Sequence, residues 1–221
     1  MVKQKLPRAV FTVGHSDRTL KAFLALLQSQ SVNRLLDVRT VPRSRHNPQF
    51  NRETLPAALE TVAIQYTHCE GLGGFRRTSA QSENTGWRNA SFCGYADYMQ
   101  TSEFAENLNT LMSLAEHERV ALMCAEAVPW RCHRSLIADA LVVHGLRVDE
   151  IVSTRRCQTH VLTPFSHVEG MSVTYPRTVE IFSDALIGSH QSKSQPRDTP
   201  RIVCDISFFA SGLFSLGSSL F

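Results

Sequence analysis

The chain has 221 residues, 43% of them hydrophobic and 19% charged. That composition excludes disorder throughout, and the length suits one domain with additions better than two full domains. A net charge of +3 is too small to assign a nucleic-acid partner by itself, so the placement of the arginines matters more than their sum.

Residues 9–13 (Ala-Val-Phe-Thr-Val) read as a buried strand ending at Gly14, His15 and Ser16. Asp17 or Thr19 can cap a following helix, whose face carries Leu20, Phe23, Leu24 and Leu27 at helical spacing. Residues 34–39 form a second short strand, so the pair and its helix make a βαβ unit with parallel strands. Pro42, Pro48 and their polar neighbours make 40–52 a loop, followed by a short helix at 53–63 and a third strand at 64–68. Glycines 71, 73 and 74 break the chain, and 75–93 is polar and irregular, the kind of long loop that tends to be functional or mobile. One or two helices cover 95–115. A fourth strand runs over 119–124, a helix over 132–144 stopped by Gly145, and a fifth strand over 148–152. Near-continuous apolar strands alternating with helices predict a parallel sheet covered on both faces.

Beyond residue 153 the texture changes. Residues 159–176 suit a hairpin around Gly170, 188–200 read as a polar linker, and 207–221 hold four phenylalanines among Gly and Ser without helical periodicity. The expected organisation is a single-domain α/β parallel-sheet sandwich over 9–176, with its core at 9–152 and an appendage at 153–176. Residues 177–221 are expected to form a poorly ordered tail.

The basic start lacks an apolar region followed by a small-residue cleavage site, and no apolar run approaches the roughly 20 residues needed to cross a bilayer. These features predict a cytoplasmic protein without a membrane partner. In that compartment the six cysteines (69, 93, 124, 132, 157 and 204) are free thiols, ligands or catalytic groups rather than disulfides.

Chemistry concentrates between Cys124 and Arg134, where two thiols, Glu126, His133 and two arginines lie between a strand and a helix. In open parallel sheets ligands bind beyond the carboxyl ends of the strands. A helix N-terminus there attracts anions and stabilises a thiolate, and Arg131 and Arg134 offer forks for phosphate or carboxylate. Other strand ends add His15 and Ser16, then Arg39 and Arg43, then Arg76. Topology predicts that Arg39, Arg43, Arg76, Arg131 and Arg134 share one basic cleft, with Cys124, Glu126, Cys132 and His133 as the candidate catalytic groups.

These residues also carry a family resemblance. The ordered set Gly14-His15-Ser16, Asp37-Val38-Arg39 with Pro42, Ser44 and Arg45, Leu72-Gly73-Gly74, Cys124-Ala125-Glu126 and Cys132-His133-Arg134 resembles the DUF488 family. Leu162-Thr163-Pro164 and Tyr175-Pro176 belong to the same pattern, which spans residues 9–176 and leaves the tail outside. The resemblance implies a fold and a site position but supplies no reaction.

Four readings of the site compete. In a cysteine enzyme, Cys124 or Cys132 is the nucleophile. Six residues separate Cys124 from Arg131, one more than in the loop of Cys-dependent phosphatases, and the alternative is that Cys124 simply packs as a small hydrophobe. Glu126 can instead serve as nucleophile or base on a nucleoside or sugar phosphate, against a plain ion pair with a neighbouring arginine. Cys124, Cys132 and His133, with His15 or His68, are soft ligands for zinc or iron, although the spacing matches no metal motif and two arginines oppose a cation. The non-enzyme alternative is a nucleic-acid module using the arginines with Phe75, Trp87 and Trp130. The expected ligand is an anionic small molecule or nucleotide, and no cofactor is assigned beyond the open zinc or iron reading.

Overall fold

The computed structural model of the protein describes residues 9–177. The expectations for the basic start, the linker at 188–200, the phenylalanine-rich end, Cys204 and the rest of the tail lie outside the described residues.

Five strands form the parallel part of one sheet: β1 (Val10–Gly14), β2 (Arg34–Asp37), β3 (Gln65–His68), β4 (Val120–Cys124) and β5 (Val148–Ser153). The connecting helices are α1 (Leu20–Ser29), α2 (Leu55–Glu60), α3 (Ala90–Tyr98), α4 (Ser102–His117) and α5 (Arg134–Val143). A sixth strand, β6 (Arg156–Thr159), runs antiparallel to β5, and the order across the sheet is β3-β2-β4-β1-β5-β6. The fold is therefore mixed α/β with a mostly parallel sheet, as expected, and one antiparallel strand is added at its edge. Three of the four residues of β6 are polar and exposed, and only Cys157 packs against the core, so the strand lacks the apolar run that marks a buried one.

Alternation along the strands divides the core in two. Phe11, Val13, Leu35, Ala121 and Met123 pack with Phe23, Leu26 and Leu27 of α1 and with Leu55 and Leu59 of α2. Val10, Leu36, Val38, Leu122 and Cys124 face the other way, against α3, α4 and α5. Thr19, not Asp17, caps α1, accepting from the Ala22 amide at 3.2 Å. The span expected to hold one or two helices divides into α3 and α4, because Thr101 caps a new start through the Phe104 amide. Helix α3 begins inside the stretch read as loop. Its interior Gly94 reads as a helix breaker, yet a Cβ there would lie 2.5 Å from the Arg76 carbonyl, so close chain crossing explains the glycine.

The two faces decide where a crevice opens. After β1 the chain departs to the α1 face, whereas after β4 it departs to the α5 face, so neighbouring strand ends send their loops in opposite directions. The β1–β4 ladder continues past the strands: the His15 amide donates to the Cys124 carbonyl at 3.0 Å and the Ser16 amide to the Ala125 carbonyl at 2.8 Å. Gly14 is required at this join, since a Cβ would lie 1.9 Å from the Glu126 carbonyl oxygen.

Residues 160–177 are tied down by a buried carboxylate. Asp139 of α5 has no solvent exposure and accepts from the Thr163 hydroxyl and amide (2.6 and 3.1 Å), the Tyr175 hydroxyl (2.8 Å) and the His160 ring (2.7 Å). The hairpin around Gly170 is present as β7 (His167–Glu169) and β8 (Ser172–Thr174), with Gly170 at φ +59°. Thr163 and Tyr175, two residues of the family pattern, thus serve the fold. Tyr175→Phe is expected to lower stability by about 1–2 kcal/mol and Asp139→Ala by about 3 kcal/mol or more, since the latter orphans several buried donors. Urea midpoints of the two variants check both values.

Candidate functional site

A cavity of about 790 Å³ opens at the crevice. Its walls include His15 and Ser16 after β1, Arg39 and Arg43 after β2, Gly74 and Phe75 after β3, and the loop from Cys124 to His133 after β4. Nine of the eleven candidate residues are thereby brought together: His15, Ser16, Arg39, Arg43, Cys124, Glu126, Arg131, Cys132 and His133.

Arg76 and Arg134 are not. Arg76 lies 3.5 Å from the centroid of the Tyr98 ring and donates to the carbonyls of Gly71 (3.0 Å) and Gly73 (3.2 Å), so it braces the glycine turn. Arg134 has no solvent exposure and turns away from the cavity. Its guanidinium donates to the Glu126 carbonyl, to the Ala127 carbonyl at 3.0 Å and to Glu150 at 3.1 Å. Both arginines hold backbone, which corrects the expectation of five in the cleft to three. Asp17 and Glu126 stand among those three, so the lining is mixed in charge rather than uniformly basic.

Arg39 is itself largely committed. It forms a two-pronged ion pair with Asp37 (2.8 and 2.6 Å) and donates to the Phe50 carbonyl at 2.7 Å. Asp37 also accepts from the Tyr66 hydroxyl at 2.8 Å. The remaining prong of Arg39 meets His15 Nε2 at 3.2 Å, while His15 Nδ1 lies 2.9 Å from the Ser16 carbonyl. A carbonyl only accepts, so Nδ1 carries the proton and Nε2 receives from Arg39. Burial first, and the Arg39 charge as well, hold the His15 pKa below its ordinary value. His15 is therefore a saturated, neutral floor residue, stacked on Phe50 at 4.4 Å, rather than a free metal ligand. His68 donates to the Arg39 carbonyl at 2.8 Å and does not line the cavity. Arg43 and Arg131 are exposed and form no ion pair among the described residues.

At the base lie Cys124, Cys132 and His133, whose sulfurs and ring nitrogen all fall within 4.8 Å of one another. Cys124 is 7% exposed and Cys132 is 3% exposed. His133 Nε2 is 2.9 Å from the Val38 carbonyl and must donate to it, which turns Nδ1 toward Cys132 Sγ at 3.8 Å. The two thiols titrate as a pair. The first proton, assigned to Cys124, leaves well below the ordinary thiol range. Its thiolate is stabilised chiefly by a hydrogen bond from Cys132, and further by His133 and the Glu126 amide. The proton on Cys132 is held well above that range by the same contact and by burial. This set is also the arrangement among the described residues that could hold a metal ion, with His133 oriented by a carbonyl as a ligand would be.

Sequence reasoning missed what seats His133. Its ring packs at 4.9 Å from the ring of Tyr95, whose hydroxyl donates to the Leu72 carbonyl at 3.0 Å. Gly74 faces it directly, and a Cβ there would lie 2.5 Å from Nδ1. The glycine was readable, but its partner lies 59 positions away in the chain.

An open α/β sheet with a thiol–imidazole cluster at its topological switch point defines the class of molecule. The family described as a domain of unknown function, DUF488, matches residues 19–141, and the chain belongs to that family. The match covers Arg39 through Arg134 but not the Gly14-His15-Ser16 turn or the Thr163 and Tyr175 motifs. No curated protein matches the chain, and no solved structure does either. No helix among the described residues is long and apolar enough to cross a membrane.

Gly74→Ala is expected to displace the His133 ring, costing about 1–3 kcal/mol of stability. The alkylation profile of Cys124 should then move up toward the free-thiol value of about 8.5. Urea unfolding and mass-spectrometric alkylation of the variant test the pair of effects, and an unchanged profile would detach His133 from the thiols.

Proposed function

We propose that this protein is a cytoplasmic, thiol-dependent enzyme acting on a phosphate-bearing small molecule or nucleotide. The observation that carries the reading is the cluster of two thiols and one imidazole at the floor of a cavity that also holds two guanidiniums without ion pairs. Cys124 is the nucleophile, as a thiolate held by the Cys132 thiol and the Glu126 amide. His133, fixed by the Val38 carbonyl, is the base that receives its proton. Arg43 and Arg131 grip the phosphate, for which guanidinium forks are suited. A reducing compartment keeps both thiols free.

Two other readings have observations in their favour. The ligand atoms of the cluster lie close together and thiolate and imidazole are ligand types zinc takes, while Arg134, one of the arginines that argued against a cation, faces loop carbonyls instead. One equivalent of tightly held zinc in protein purified without chelators would make the thiols ligands and end the nucleophile reading. The exposed rings of Phe75 and Trp130 beside arginines support nucleic-acid binding. A gel shift whose affinity falls steeply with salt would favour it.

The deciding measurement is alkylation of Cys124 and Cys132 against pH, with and without inorganic phosphate. A thiolate with a depressed pKa is fully formed at neutral pH and loses reactivity only as the solution becomes acid. Cys124 should therefore react at neutral pH, Cys132 should lag, and phosphate should protect. Arg43→Ala and Arg131→Ala should each weaken phosphate protection by about tenfold or more. Thiols unreactive at every pH, or protection untouched by both arginine variants, would overturn the proposal.

A further inference from the structure

The cavity does not end at the thiols. Past Glu126 and Arg131 it runs into a groove walled by Trp87, Phe92, Phe165 and Trp130. Asn89, Phe92, Glu126 and Arg131 face both spaces, so the two are continuous. Trp87 packs against Phe92 at 4.7 Å and against Phe165 at 4.8 Å, which gives the groove a supported aromatic wall. Trp130 is left 71% exposed above it. A large indole in water beside a cleft is an unfilled stacking surface, and every nucleobase presents a π-face to such a surface.

Charge narrows the ligand further. A bare phosphate or sugar phosphate would engage Arg43 and Arg131, would leave the aromatic groove empty and would meet Glu126 as a repulsive neighbour. The exposed carboxylate sits where the anion cavity joins the groove. There it can accept only from a donor, such as the amino group on the edge of a base. Cavity and groove, about 790 and 660 Å³, are within the range of small-molecule sites.

We infer that the ligand is a nucleoside phosphate, with phosphate on Arg43 and Arg131, the base stacked against Trp130 in the aromatic groove, and Glu126 selecting bases that carry an amino group. The inference rests on the reading of the cavity as an anion site. A strand of nucleic acid is disfavoured, because a strand needs an extended track of cations, and cavity and groove together supply only Arg43, Arg131 and Arg88 without ion pairs among the described residues.

Calorimetric titration of the full chain with inorganic phosphate, ribose phosphate, cytidine monophosphate and uridine monophosphate tests it. Cytidine monophosphate should bind at least about tenfold tighter than ribose phosphate. Trp130→Ala should erase that advantage and leave ribose phosphate binding unchanged. Glu126→Gln should bring the cytidine and uridine compounds together. If ribose phosphate binds and neither nucleotide binds tighter, the base site is overturned while the anion site stands. If no phosphate compound binds, the anion reading itself falls, and the inference with it. An oligonucleotide that binds far more tightly than either mononucleotide, with a steep salt dependence, would replace the inference with strand binding.

Discussion

Arg134 carries a positive charge with no solvent-accessible surface, and the loop above the sheet is arranged to tolerate it. Burying a guanidinium costs several kcal/mol unless its donors and its charge are met. Here the Glu126 and Ala127 carbonyls and the Glu150 carboxylate meet the charge and both terminal nitrogens, while the buried Nε has no partner among the described residues. Glu150 in turn accepts from the Thr12 hydroxyl on β1. The consequence is geometric. The chain leaving β4 is pulled back over the sheet, and this return brings Cys132 and His133 beside Cys124. Lysine at this position would keep the charge and lose the fork that reaches two successive carbonyls and a carboxylate together.

A second buried network sets the opposite wall. Asp37, Arg39, Tyr66 and His15 saturate one another below the cavity and leave His15 neutral. The two networks divide the chemistry of the site. Charge on one side is cancelled and serves to fix backbone, while Arg43, Arg131 and Glu126 remain open to the cavity. This mixed lining is what supports the proposal of a ligand with unlike ends rather than a simple anion.

Much of this was readable from local pattern. The apolar runs located β1, β4 and β5, the cap and face of α1 were visible, and the stretch from Cys124 to Arg134 marked the site because chemistry-bearing residues crowd a strand-to-helix join. What escaped depends on partners distant in sequence. Nothing near Arg134 distinguishes a guanidinium that faces a cavity from one that faces carbonyls, and nothing near Arg76 announces the Tyr98 ring. Edge strand β6 is too short and polar to register as a strand. Gly74 looked like turn chemistry, yet its φ is not positive, and its role is the contact with His133.

The Asp139 network bears on how the molecule is made. Its carboxylate lies on α5, just beyond the loop from Cys124 to His133, but its partners are His160, Thr163 and Tyr175, which leave the ribosome later. Until they arrive, the carboxyl group at position 139 lacks its donors, which disfavours burial of α5 against the sheet. Since α5 carries Arg134, the return of the loop waits on the same event. A nascent chain can therefore hold Cys124, Cys132 and His133 and still lack the loop geometry that sets them side by side, until residues 160–177 dock.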